Sequence, residues 1–270
     1  MVKVLIIGGS TLNDGDGEEL ASILIDSNNS FLKEWAIVIA IHNFLLLEDQ
    51  VRPGLRITRE PISDLNRVTV NAQENNDEHL TWFNNNSNQN LHQIMNEDKY
   101  FIENNNIYIL GGGINQKRIL CFKVKEENNS LFIEAKFFSS DTDDDTCECE
   151  GRQNNGFILS YPSINCIMEE FLANSDKLED LAGVVLAGFD NDGAEGLLAM
   201  KRNGCKTAVQ NPEECDNGRN SEMPQNALTS LNTFNRENNQ NLAWHDIITL
   251  GEMEEIPTFV EWFSSLNFNT

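Results

Sequence analysis

Val2-Lys3-Val4-Leu5-Ile6-Ile7-Gly8-Gly9, followed by Ser10, opens the chain with an apolar run broken by one lysine and ended by a glycine pair. A strand buried on both faces reads this way, because neither face alternates with water, and such strands belong to parallel sheets. Helical spacing follows over residues 18–25, with Leu20, Ile23 and Leu24 on one side and Asn28 and Asn29 at its end. Residues 35–41 are a second apolar run, stopped by His42 and Asn43. Strand, glycine turn, helix, strand is a βαβ unit, whose handedness rule implies a parallel sheet.

The pattern recurs further along. Residues 183–187 read as a third buried strand, 188–193 as a turn, and 194–202 as a compact helix closed by Asn203 and Gly204. Residues 207–209 and 247–250 are predicted as further short strands, and 256–266 as a closing helix. Ser163 is a good N-cap for a helix through Leu172, with Pro162 biasing the entry away from helix. Residues 107–110 form another short apolar run. Residues 118–124 and 130–138 flank the polar stretch 126–129 as an antiparallel hairpin, and the acidic stretch 141–150 reads as loop. The expected fold is α/β: one domain over 1–270, doubly wound, with a mostly parallel sheet and an appended antiparallel β-hairpin. Asparagine clusters between Asn71 and Asn106 and predicts a surface excursion, since Asn favours turns.

Composition narrows the function. The 270 residues are 40% hydrophobic, and 19 Lys+Arg stand against 43 Asp+Glu for a net charge of −24. With no basic stripe to neutralise phosphates, nucleic acid is excluded as a partner. No apolar run approaches the roughly 20 residues that span a bilayer, so no membrane insertion is expected. The N-terminus reads as a strand and not as a signal peptide. Six cysteines are too sparse for a disulfide scaffold, and reduced thiols in a cytoplasmic protein are expected.

Ligands of open parallel sheets bind beyond the carboxyl ends of the strands. Ser10 follows the first predicted strand, His42 the second, and Asp192 lies in the turn after the third. A hydroxyl becomes a good nucleophile when an imidazole takes its proton, and the imidazole needs a carboxylate to fix its tautomer. Free amides at the start of the helix after Gly9 could hold an oxyanion. Singly, each residue has a plainer role: Ser10 as turn residue or cap, His42 as structural, Asp192 as the N-cap of its own helix. The order Ser, His, Asp differs from that of the α/β-hydrolases, and no G-x-S-x-G elbow is present. A dinucleotide site is disfavoured because the first turn departs from G-x-G-x-x-G and Asp14, Asp16, Glu18 and Glu19 would repel a pyrophosphate. Cys147-Glu148-Cys149 has no second pair at ligand spacing, so no metal is expected. His79 and His92 have no evident partner in the sequence, and Trp244-His245 reads as a strand edge.

Residues 183–200, Gly183-Val-Val-Leu-Ala-Gly-Phe-Asp-Asn-Asp192-Gly-Ala-Glu-Gly-Leu-Leu-Ala-Met200, resemble the signature of the chemotaxis protein-glutamate methylesterases of the CheB type. Lys201–Gly204, Thr207–Glu213 and Met223–Leu228 continue the match. Ile6–Thr11 is similar to the family's I-G-x-S-T/A turn and Ile37–His42 to its V-x-V-x-Q-H. The resemblance implies Ser10 as nucleophile, His42 as general base and Asp192 as orienting carboxylate. It further implies backbone amides of Phe189 and Thr11 as oxyanion donors, and Met223 and Pro224 as substrate contacts. The implied reaction is hydrolysis of glutamate methyl esters on a methylated receptor protein, with glutamine deamidation open to the same chemistry and no cofactor. The chain departs from the pattern at Leu12–Asp16, which are extra, at Asp190 and Glu222, each in place of Gly, and at Tyr161 in place of Arg. No receiver domain is expected. A non-catalytic regulatory or scaffold protein retaining the fold is the alternative.

Overall fold

The computed structural model describes residues 1–9, 20, 23–24, 33–41, 90–94, 98–110, 114–115, 118–139, 153–154, 157–158, 163–188, 191–215 and 221–266. Its largest element is a seven-stranded sheet, all of whose pairings are parallel. In chain order the strands are β1 (Val2–Gly9), β2 (Trp35–Ile41), β3 (Asn90–Ile94), β4 (Asp98–Phe101), β5 (Asn106–Leu110), β6 (Ile114–Asn115), β7 (Arg118–Glu127) and β8 (Ser130–Ser139). They continue with β9 (Gln153–Asn154), β10 (Phe157–Ile158), β11 (Leu178–Val185), β12 (Lys206–Gln210) and β13 (Asp246–Ile248). The large sheet runs β13-β12-β11-β1-β2-β5-β3, so the first strand of the chain lies in its middle. The four-stranded sheet, β4-β8-β7-β6, is antiparallel and built on the long β7–β8 hairpin.

Successive side chains of a strand point to opposite faces, and β1 divides its residues accordingly. Val4 and Ile6 enter one core with Val38, Tyr108, Ile167, Phe171 and Met200, while Leu5 and Ile7 enter a second core with Trp35, Ile37, Ile109, Phe259 and Phe263. Both faces are covered, which is why the sequence of β1 does not alternate. Phe122, Val124, Leu131 and Ile133 of the antiparallel sheet join the first core. On the second face Trp35 meets Phe263 edge-on, with ring centroids 4.9 Å apart.

Leu20, Ile23 and Leu24 are helical, and the α-helices whose full span lies among the described residues are α1 (Ile164–Ala173), α2 (Ala194–Arg202), α3 (Glu222–Glu237) and α4 (Phe259–Ser265). Ser163 caps α1 as expected, accepting from Cys166 N–H at 3.4 Å. Asn203 closes α2, and Gly204 adopts φ +83°, the left-handed conformation that ends helices. Pro224 sits in the first turn of α3, where its missing N–H costs no helical hydrogen bond. The Asn-rich stretch departs from its reading as pure excursion, since β3 and β4 lie within it. Cys205 and Cys215 are free thiols. Cys166, expected reduced, is instead disulfide-bonded, and its partner lies outside the described side chains.

Candidate active site

All seven strands of the large sheet run the same way, so their carboxyl ends share one edge. There Gly9 of β1 pairs with Ile41 of β2, and Gly8 pairs with Val185 of β11. Ser10 and His42 are next in the chain after the Gly9–Ile41 pair. Ser10, Thr11, His42, Phe189 and Asp190 lie outside the described residues, as do His79 and Cys147–Cys149.

Asp192 is described, and its placement is unlike a simple cap. It is 3% exposed, and Gly193, not Asp192, is the N-cap of α2. The carboxylate instead lies across the first turn of α1. Its Oδ2 accepts Ile164 N–H at 2.6 Å, and its Oδ1 accepts Asn165 N–H at 2.9 Å and Gly193 N–H at 3.0 Å. Ser163 Oγ donates to Oδ1 at 3.4 Å. The first amides of a helix have no intrahelical acceptor and carry the positive end of its dipole, so a carboxylate there is favoured twice over. Asn165 extends the link, because its Oδ1 accepts Gly196 N–H of α2 at 2.7 Å.

Two glycines let these elements approach. A Cβ on Gly8 would collide with the Ile164 side chain, so only glycine allows α1 to begin directly over the end of β1. Gly193 has φ +91°, and a Cβ there would lie 3.0 Å from Val185 Cγ2 and 3.2 Å from Ile164 Cγ2.

The turn that leads to Asp192 is fastened as it leaves the sheet. Leu186 N–H donates to Gly8 O at 2.8 Å, and Met223 N–H donates to Gly188 O at 3.0 Å. Met223 is fully buried in the first core, and Pro224 beside it is buried as well. Met223 therefore supports the turn from beneath.

His245, read as a strand-edge residue, immediately precedes the edge strand β13 and is buried, with Nδ1 2.8 Å from Thr207 Oγ1. Burial, aided by the positive charge of Lys201, pushes its pKa down to about 4. Thr207 pairs with Gly183 of β11, and His245 beside it lies on the outer, β13 side of the sheet, separated from β1 by β12 and β11. Among the described residues no group of three His, Cys, Asp or Glu is arranged to hold a metal ion. No described helix is long and apolar enough to cross a membrane.

Sequence reasoning picked out Ser163 as a cap and Asp192 as a reactive carboxylate, but not that the two meet. Apart from the adjacent Gly193 N–H, the donors to Asp192 come from 27 to 29 residues earlier in the chain, a separation that leaves no local pattern.

The family pattern described as CheB methylesterase matches residues 68–236, more than half of the chain. Among solved structures, the crystal structure of the Thermotoga maritima CheB methylesterase catalytic domain superimposes with a TM-score of 0.51 at 15% identity. The alignment covers 93% of this chain and 94% of that one, a likeness of fold. No curated protein matches the sequence.

Proposed function

The chain belongs to the CheB methylesterase family, and from that premise we propose that it hydrolyses glutamate methyl esters on a methylated receptor protein in the cytoplasm. Ser10 attacks the ester carbonyl while His42 takes the hydroxyl proton. His42 then returns that proton to the departing methanol, and water, activated by the same imidazole, releases glutamate from the acyl-enzyme. Asp192 orients His42, the amides of Phe189 and Thr11 hold the oxyanion, and Met223 and Pro224 shape the substrate site from below. An amide passes through an equivalent tetrahedral intermediate, so glutamine deamidation belongs to the same proposal. The mechanism calls for no metal or organic cofactor.

One observation carries the reading: Gly9 and Ile41 are partners in adjacent parallel strands, and a rigidly held Asp192 lies just past the third strand of the same edge. The proposed nucleophile and base are the residues that follow this strand pair in the sequence, which supports the reading. The test is methanol release from a methyl-labelled receptor fragment by the full chain. Ser10→Ala should lower the rate by several orders of magnitude while leaving the thermal midpoint unchanged, because the residue serves chemistry and not packing. A wild-type chain that binds the fragment without releasing methanol would instead identify a non-catalytic protein that kept the fold, a reading to which the extra carboxylates Asp190 and Glu222 are suited.

A further inference from the structure

The turn from Ala187 to Asp192 is anchored at its far end by α1, and at its near end by a side chain that the proposed mechanism leaves unused. Gln210, the last residue of β12, is fully buried. Its Oε1 accepts Ala187 N–H at 2.8 Å, and its Nε2 donates to Glu214 Oε2 at 2.9 Å. Glu214 Oε1 accepts Leu250 N–H and Gly251 N–H, each at 2.8 Å, and its Oε2 also accepts Leu250 N–H at 3.0 Å. Pairing of β11 with β12 ends at Val185 and Val209, so the Gln210 side chain supplies the next rung beyond the ladder.

The polarity of this relay allows one arrangement. A carboxylate only accepts, so Glu214 must face the amide end of Gln210, which leaves the carbonyl end for Ala187. Turning the Gln210 amide over would set NH2 against N–H at one end and oxygen against oxygen at the other. Two unmet polar contacts in a buried site disfavour that strongly. The backbone therefore leaves the sheet at Ala187 in a fixed direction, two residues before Phe189.

We propose that Gln210, oriented by Glu214, is a positioning residue for the oxyanion side of the active site. The role rests on the esterase reading given above. Oxyanion donors act on charge that develops in the transition state, so a small misdirection of the turn lowers kcat more than it changes KM.

The decisive experiment exchanges the two side chains. Gln210→Glu alone sets two carboxylates face to face, and Glu214→Gln alone sets an amide NH2 against either Gln210 or the 250–251 amides. The double variant Q210E/E214Q restores each bond except the longer Leu250 N–H contact to Oε2. In it the carboxylate now at position 210 accepts from Ala187 N–H and from the side-chain amide now at position 214, whose own oxygen accepts from Leu250 and Gly251. Each single variant, and Gln210→Met, should lower kcat for ester hydrolysis by roughly 10- to 100-fold with KM within about twofold, as expected for a weakened oxyanion site. The exchange should recover kcat to within about threefold of wild type, a coupling that independent sites would not show.

The Ala187 amide proton shift reports the bond apart from activity. It should move upfield in Gln210→Met and return in the double variant. Wild-type kcat in a Gln210→Met protein that has lost the Ala187 bond would overturn the positioning role and leave the esterase reading intact. So would a double variant no faster than the slower single. An inactive wild type would overturn the esterase reading and this role together.

Discussion

Replacing Asp192 should damage stability as well as activity, which separates it from a carboxylate that serves only to orient a histidine. Three backbone amides and the Ser163 hydroxyl donate to it, with the Ile164 contact at 2.6 Å the shortest. Hydrogen bonds to a charged partner contribute about 1.5–3 kcal/mol each when deleted, and they are not additive. Helix-end amides can recover part of this from water, and the 3.4 Å serine contact is weak. Asp192→Ala should therefore cost about 3–4 kcal/mol, a large fraction of the ~5–15 kcal/mol that holds a domain folded. Asp192→Asn keeps one acceptor but turns an NH2 toward an amide, and about 2 kcal/mol is expected. Urea unfolding followed by circular dichroism measures both, and rates should then be taken on the folded fraction. An alanine variant within about 1 kcal/mol of wild type would refute the reasoning and return Asp192 to a purely chemical role.

Two further predictions concern other parts of the fold. His245 is held neutral by burial with its pKa at about 4, so its contribution is complete above an ordinary histidine pKa of about 6.5 and erodes as pH falls from there toward 4. Between roughly pH 7.5 and roughly pH 4.5, wild type should lose about 2.5 kcal/mol more than His245→Asn, read from paired urea curves, and equal losses would show that the imidazole titrates normally. Tyr108 donates its hydroxyl to Phe101 O at 2.6 Å and accepts Glu103 N–H at 2.9 Å, tying β5 to the segment after β4. Tyr108→Phe should cost about 1–2 kcal/mol in the same assay, and an unchanged midpoint would mean that water replaces both bonds.

The parallel core was legible because strands buried on both faces must be continuously apolar, as β2 is throughout, β1 is from Val4 and β11 is from Leu181. The ends of α1 and α2 were legible because Ser163, Asn203 and Gly204 satisfy or terminate helices by local rules. β3 was not, since Asn90-Leu91-His92-Gln93-Ile94 is an outer strand that does not need a fully apolar sequence. Of the candidate site, Asp192 was legible as a carboxylate after a strand and illegible as the centre of a hydrogen-bond network. What holds Asp192 is the start of α1, and what holds Ala187 is the end of β12, both distant in the chain. Cys166 gave no sign of its bonded state, because sparse cysteines carry no spacing rule.

The position of β1 also shapes how the chain reaches its native state. The middle strand of the sheet, β1, is synthesised long before its second neighbour, β11, which begins only at Leu178. At about 5–20 residues per second, the ~170 residues between Gly9 and Leu178 take on the order of 10–30 s to synthesise. Through that interval one side of an almost wholly apolar strand has no native partner, even if β2 has already paired with the other. Closure of a loop that long comes late and slowly. Nascent chains of this protein therefore pass through a stage in which an apolar strand edge is open to other chains, and holding it apart until residues 178–185 emerge is the task of whatever attends its birth.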